Sequence, residues 1–222
     1  MPNTKISDMD YDGSLAGTEL VPIVDGSTNK HTTTQDIADL AAAGIVGHPG
    51  FTSGRYYTRP IRSAVFNQIG NVTANRIYAV PFFVPEDTVF TKAAIRVQTA
   101  GTAGSQAQFA IYANSDGAPG ALTHTVATLA TDATGKIELT GLTISLTAGW
   151  HWLAIGFSHT PVVWRSGTGD YLTDILGTDL SATTAVFTGV YGSWTFSAGA
   201  PPDPFPAITL ENGTFPLPFL GL

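Results

Sequence analysis

The sequence has no cysteine and few charged residues, and each shortage excludes a class of chemistry. With Cys 0 in 222 residues, disulfide bonds, thiolate nucleophiles and cysteine-based zinc sites are excluded. Charged residues make up 12% of the chain, against roughly 25% in an average globular protein. Lys and Arg together number 10 and the formal net charge is −7, so clustered positive charge for nucleic acid or an anionic membrane surface is not expected.

Long apolar runs are also missing. No stretch approaches the roughly 20 apolar residues that span a bilayer. The first twelve residues are polar and acidic, without the apolar stretch of a signal peptide. We therefore expect a protein that is made in a reducing cytoplasm, with neither a membrane nor nucleic acid among its partners.

What the sequence does have is many turn-forming residues, Gly 24 and Pro 14, spread along its length. In residues 55–222, apolar and polar residues alternate within short runs, for example at Ala93, Ile95 and Val97, and turn signals separate the runs. Trp150 to Phe157 is apolar on both faces, which indicates a central strand. The pattern predicts a mainly β fold, an antiparallel β-sandwich of jelly-roll type.

The segment 1–43 has a different pattern. Thr18 to Val24 is a short β-type run followed by a turn, and Thr32 with Gln35 has the spacing of a helix capping box before an Ala-rich stretch. We predict a strand, a turn and a short helix, joined to the sandwich by a Gly-rich linker at residues 44–54. Such a segment has too little apolar area to fold alone, so it is expected to attach to a partner.

The same segment contains a distinctive string of residues. It resembles the opening module of many fibre, spike and head-decoration proteins of tailed bacteriophages, although those proteins have Leu-Pro where this chain has Met9-Asp10. The resemblance rests on Lys5-Ile6-Ser7-Asp8, on Leu15-Ala16-Gly17-Thr18-Glu19-Leu20-Val21-Pro22-Ile23-Val24 and on Lys30-His31-Thr32-Thr33-Thr34-Gln35-Asp36-Ile37. Phe109 to Ala113 with Gly117 to Leu122 is similar to phage-borne sandwiches and to carbohydrate-binding modules.

The resemblance implies a structural protein of the phage virion, assembled in the host cytoplasm. Residues 1–43 would bind other virion proteins, of the capsid or of the tail, and the sandwich would project outward. A head fibre, a capsid decoration protein and a short tail fibre all stay open, and a homotrimer is expected by analogy with similar appendages. The apolar residues predicted to contact the partner are Leu20, Val21, Ile23, Val24, Ile37 and Leu40.

One acidic motif allows two interpretations. Asp8, Asp10, Asp12, Gly13 and Glu19 have the spacing of an EF-hand calcium loop. An EF-hand also needs a helix on each side, and a β-type run follows this motif instead. A calcium site and a solvated acidic turn both stay open, and the missing helices favour the turn.

Catalytic motifs are incomplete throughout the chain. Gly156 to Thr160 lacks the last glycine of a nucleophile elbow, and Thr134 to Ile137 lacks most of a phosphate-binding loop. We therefore predict a protein that is not an enzyme and that has no cofactor. Three carboxylates in one later stretch, Asp170, Asp174 and Asp179, leave open a polysaccharide depolymerase.

Aromatic residues in or near loops are the best candidates for ligand binding, because a flat ring can stack on a sugar. They predict the alternative function, a module that binds carbohydrate on the host surface. Core packing and trimer contacts are the competing explanation for the same rings. The candidates are Tyr56, Tyr57, Trp164, Tyr171, Tyr191 and Trp194.

Overall fold

The computed structural model describes residues 18, 20–25, 28–37, 50–58, 68–166, 187, 189–211 and 215–222. The chain divides into two units, Met1–Pro49 and Gly50–Leu222. The boundary falls between residues 49 and 50, which are both part of the Gly-rich stretch.

The described part of the first unit is an antiparallel hairpin followed by one helical turn. Strand β1 (Leu20–Asp25) pairs with β2 (Thr28–Thr33), and residues 34–37 are helical. The strand expected in the first run is present, but β2 occupies residues that were predicted as turn and helix start. Pairing explains the difference, because Leu20 lies opposite Thr33 and Asp25 opposite Thr28, so β1 lies beside β2 along its whole length.

The helical turn begins one residue later than the sequence predicts. The Thr33 hydroxyl accepts a 3.0 Å hydrogen bond from the Asp36 backbone N–H, and the Asp36 carboxylate accepts one of 3.0 Å from the Thr33 N–H. This reciprocal pair is a capping box, with Asp36 in the place expected for Gln35. The hydrogen bonds from Thr33 lower the pKa of the Asp36 carboxyl.

The second unit is built from antiparallel strands, which confirms the mainly β prediction. Its strands are β3 (Tyr56–Tyr57), β4 (Gln68–Asn71), β5 (Arg76–Val84), β6 (Thr88–Phe90), β7 (Lys92–Thr99), β8 (Gln106–Ser115), β9 (Ala118–Ala130), β10 (Gly135–Leu139), β11 (Ile144–Leu146), β12 (Gly149–Phe157), β13 (Val162–Arg165), β14 (Gly189–Ser193), β15 (Thr209–Glu211) and β16 (Phe219–Gly221).

These strands form two larger sheets, and β6 pairs separately with β11. The first, here called the central sheet, has the order β15-β14-β5-β12-β8-β9. In the second sheet the pairing runs β3-β16-β7-β13-β4, and β10 also pairs with β7. Strand β12 therefore lies between β5 and β8, which confirms the central strand predicted from its apolar residues.

Both sheets contribute to one hydrophobic core, as in a β-sandwich. Alternate residues of β5, β8 and β12 face the alternate residues of β7 across the space between the sheets. The core includes Tyr78, Val80, Phe82, Phe109, Ile111, Leu153 and Ile155 of the central sheet and Ala93, Ile95, Val97, Val163 and Leu220 of the second sheet.

The other face of the central sheet is buried too, whereas the alternation of Phe109 and Ile111 with Gln108 in β8 predicts one apolar and one mainly polar face. Residues 194–207, here called the cover segment, run over this face after β14. Phe205 meets the ring of Tyr112 edge-on with 5.1 Å between ring centroids, and the Tyr112 hydroxyl donates a 2.7 Å hydrogen bond to the Pro202 carbonyl. The alternation of β8 therefore marks two buried faces, one against each layer.

Gln108 shows how a polar residue is accommodated on this covered face. Its amide N–H groups donate 3.0 Å hydrogen bonds to the carbonyls of Phe109 and Ala127. Its side-chain oxygen accepts hydrogen bonds from the Thr128 hydroxyl at 2.7 Å and from the Gly199 N–H at 2.6 Å. A buried amide with four partners incurs little desolvation penalty, and the Gly199 bond ties the cover segment to the sheet.

Candidate functional site

An open groove lies on the face of the second sheet that points away from the core. Because Ala93, Ile95 and Val97 face the core, Ala94 and Arg96 face outward and line the groove. The groove encloses about 220 Å³. Its lining residues are Tyr56, Ala94, Ile95, Arg96, Lys136, Trp164 and Phe219.

Strand register brings these side chains together from distant parts of the chain. Phe219 of β16 lies opposite Ala94 of β7, and Lys136 of β10 lies opposite Arg96. Tyr56 of β3 lies opposite Gly221 of β16. A Cβ on Gly221 would stand 3.2 Å from the Tyr56 ring, so the glycine gives the ring room to lie across the strand.

A polar network fixes the Tyr56 ring at one side of the groove. The Tyr56 hydroxyl donates a hydrogen bond to the Glu138 carboxylate. Lys136 Nζ lies 2.5 Å from Glu138 Oε2, 3.3 Å from the Tyr56 hydroxyl and 5.2 Å from the Tyr56 ring centroid. Burial and the bond to Glu138 raise the pKa of Tyr56, and the bond from Lys136 lowers the pKa of Glu138.

Trp164 and Arg96 form the other side of the groove. The Arg96 guanidinium carbon lies 5.4 Å from the centroid of the Trp164 ring, within the range of a cation–π contact. Arg96 is solvent-exposed and Trp164 is half-buried. The guanidinium thus stands beside the indole, at the mouth of an apolar groove.

The aromatic residues predicted to bind a ligand lie in different parts of the structure where they are described. Tyr56 and Trp164 line the groove together. Tyr57 points the other way, contacts Phe51 with 4.7 Å between ring centroids and packs against the core. Trp194 packs against the covered face of the central sheet. Tyr191 lies on that sheet under the Arg76 guanidinium, 4.2 Å from its ring centroid. Tyr171 lies outside the described residues.

Sequence reasoning missed Arg96, Lys136, Glu138 and Phe219 as site residues. The sequence alternates around Arg96 in β7 and at Lys136, Ile137 and Glu138 in β10, which already indicates a polar face for the first three. Alternation does not show that β10 pairs with β7, because strand pairing depends on contacts between residues far apart in the chain.

The residues predicted to bind a partner lie in the hairpin unit where they are described. The side chain of Leu20 is 64% exposed and that of Ile37 44% exposed, and Val21 is half-buried. Ile23 and Val24 belong to β1. Leu40 lies outside the described residues.

Metal and catalytic predictions fall largely outside the described part of the chain. This holds for Asp8, Asp10, Asp12 and Glu19, and for Asp170, Asp174 and Asp179. Within the described part, no group of three or more His, Asp or Glu residues is placed to hold a metal ion. No helix among the described residues is long and apolar enough to cross a membrane.

Comparison of the chain with known protein families, with curated proteins and with solved structures finds no match. The exposed hairpin and the aromatic groove are therefore the two features from which a function can be proposed.

Proposed function

We propose that this protein is a structural, non-enzymatic component of a bacteriophage virion. In this proposal residues 1–43 bind another capsid or tail protein, and the sandwich, with jelly-roll connectivity, is exposed as a head fibre, a capsid decoration or a short tail fibre. A homotrimer is part of the same proposal. The resemblance of residues 5–37 to phage attachment modules motivates it.

The observation that carries the proposal is the exposed apolar surface of the hairpin. Leu20 and Ile37 belong to a unit of their own, and both are exposed in the monomer. Burying such a side chain completely contributes about 1.5–3 kcal/mol. A binding partner that covers them would supply the apolar area that a short hairpin lacks.

The test compares two matched variants of the full chain. Leu20→Asp places a charge on the hairpin, and Val89→Asp places one on the sandwich at a residue that is 50% exposed. Both variants should keep the thermal unfolding temperature of the parent protein. The amount that copurifies with particles should fall at least tenfold for Leu20→Asp only, and equal incorporation of the two variants would contradict attachment through the hairpin.

The groove favours a second function, the binding of carbohydrate on the host surface. Tyr56 and Trp164 line one apolar groove, and aromatic rings there can pack against the C–H face of a sugar.

Trp164→Ala should abolish binding on a glycan array. Trp150→Ala is the matched control, because Trp150 is 40% exposed, lies on β12 and contacts Phe83 instead. Equal binding by both variants would refute the groove as the site.

A further inference from the structure

We propose that the groove selects acidic saccharides, with a sugar ring packed on its aromatic lining and a carboxylate bound by Arg96. This inference rests on the proposed carbohydrate binding and adds the chemical class of the ligand. Its basis is the difference between the cations around the groove, two of which are already engaged.

Lys136 and Lys92 both have partners within the protein. Lys136 is paired with the Glu138 carboxylate at 2.5 Å, so the two charges largely compensate each other. Lys92 Nζ donates a 2.6 Å hydrogen bond to the Leu222 carbonyl. Each ammonium therefore has a partner within the protein and is less available to a ligand.

Arg96 differs from both lysines. Among the described residues it contacts the face of the Trp164 ring, which does not use the N–H donors of the guanidinium. A guanidinium carries five such donors in a planar fork that matches the two oxygens of a carboxylate. Among the residues that the structure describes, no carboxylate pairs with Arg96, so its charge and the edge of its guanidinium face the mouth of the groove.

The positive charge of Arg96 is opposite in sign to the net charge of the whole protein. The formal net charge is −7, so a negatively charged polymer is repelled by the chain as a whole. A bound anion must therefore be recognised through close contacts. Charge alone does not define the ligand, because the lining is aromatic and aliphatic and calls for an apolar surface as well. A sugar acid has both an apolar ring face and a carboxylate.

The size of the groove limits how much of the ligand it contacts. Its volume of about 220 Å³ lies below the roughly 300–1,000 Å³ of pockets that enclose a drug-sized ligand. One or two sugar units therefore fit, and the remainder of an oligosaccharide would continue into solvent.

The experiment uses the full chain and two probes that differ at their carboxyl groups, trigalacturonic acid and its uncharged methyl ester. Arg96→Gln should weaken binding of the acid about tenfold or more and leave the ester unchanged, because a hydrogen bond to a charged group is lost for the acid alone. Arg96→Lys should recover part of the affinity. Arg76→Gln is the matched control, because Arg76 makes a similar ring contact with Tyr191, outside the groove.

The possible outcomes distinguish a failure of the selection for acidic saccharides from a failure of the proposed carbohydrate binding. If acid and ester bind equally well and Trp164→Ala weakens both, the groove binds sugar and the selection for acid is wrong. The selection is also wrong if Arg96→Gln keeps the preference for the acid. If neither these probes nor any member of a panel of acidic and neutral glycans binds, both proposals fail. Unchanged thermal unfolding of Arg96→Gln, expected for an exposed residue, ensures that lost binding reflects the site.

Discussion

Phe205→Ala tests whether the cover segment is an integral layer of the fold. The ring is 7% exposed and packs edge-on against Tyr112. Replacing a buried Phe by Ala costs about 3–5 kcal/mol, and the lower end applies here because the residue covers a sheet from one side. For a domain of this size each kcal/mol lowers the unfolding temperature by about 2–4 °C, so a decrease of about 6–12 °C is expected.

The assay is thermal and urea unfolding of the variant beside a control from the same part of the chain. Ile208→Ala is suitable because Ile208 immediately follows the cover segment and is exposed. It should change the free energy of unfolding by less than about 0.5 kcal/mol. If Phe205→Ala is as mild as this control, the segment does not form a packed layer and the account of a doubly buried central sheet is refuted.

Three further predictions concern polar groups. Gln108→Leu should destabilise the protein by about 2 kcal/mol or more in urea unfolding, because it removes the four hydrogen bonds of a fully buried amide; a neutral effect would mean that water replaces the amide. Burial, and to a lesser extent the nearby His151, lower the pKa of His124 from 6.5, so the unfolded state binds more protons and stability should decline as the pH falls below about 6.5. His124→Gln should flatten that decline, and an identical pH profile would contradict it. Chelation of calcium should leave thermal unfolding unchanged if residues 8–19 form a solvated turn, whereas a clear decrease would favour the calcium site.

Part of the fold could be predicted because it depends on local patterns. The alternation at Ala93, Ile95 and Val97 identifies a half-buried strand, and the apolar faces of β12 identify a central one. The burial of the second face of β8 could not be predicted, because the layer that covers Gln108 comes from a distant part of the chain. The hydrogen bond between Gln108 and Gly199 joins residues that are 91 positions apart. The start of the helical turn was misplaced by one residue because Thr32 and Thr33 both have a suitable partner three residues later.

The sequence by itself determined the β class, the faces of individual strands and the aromatic residues from which a site could be made. Tertiary structure decided which of those residues meet. Tyr56 and Glu138 are 82 residues apart and share a hydrogen bond only because β3, β16, β7 and β10 are neighbours in one sheet. The physical reason is that alternation is set by the geometry of one strand, whereas register and neighbour order are set by how distant apolar faces pack together.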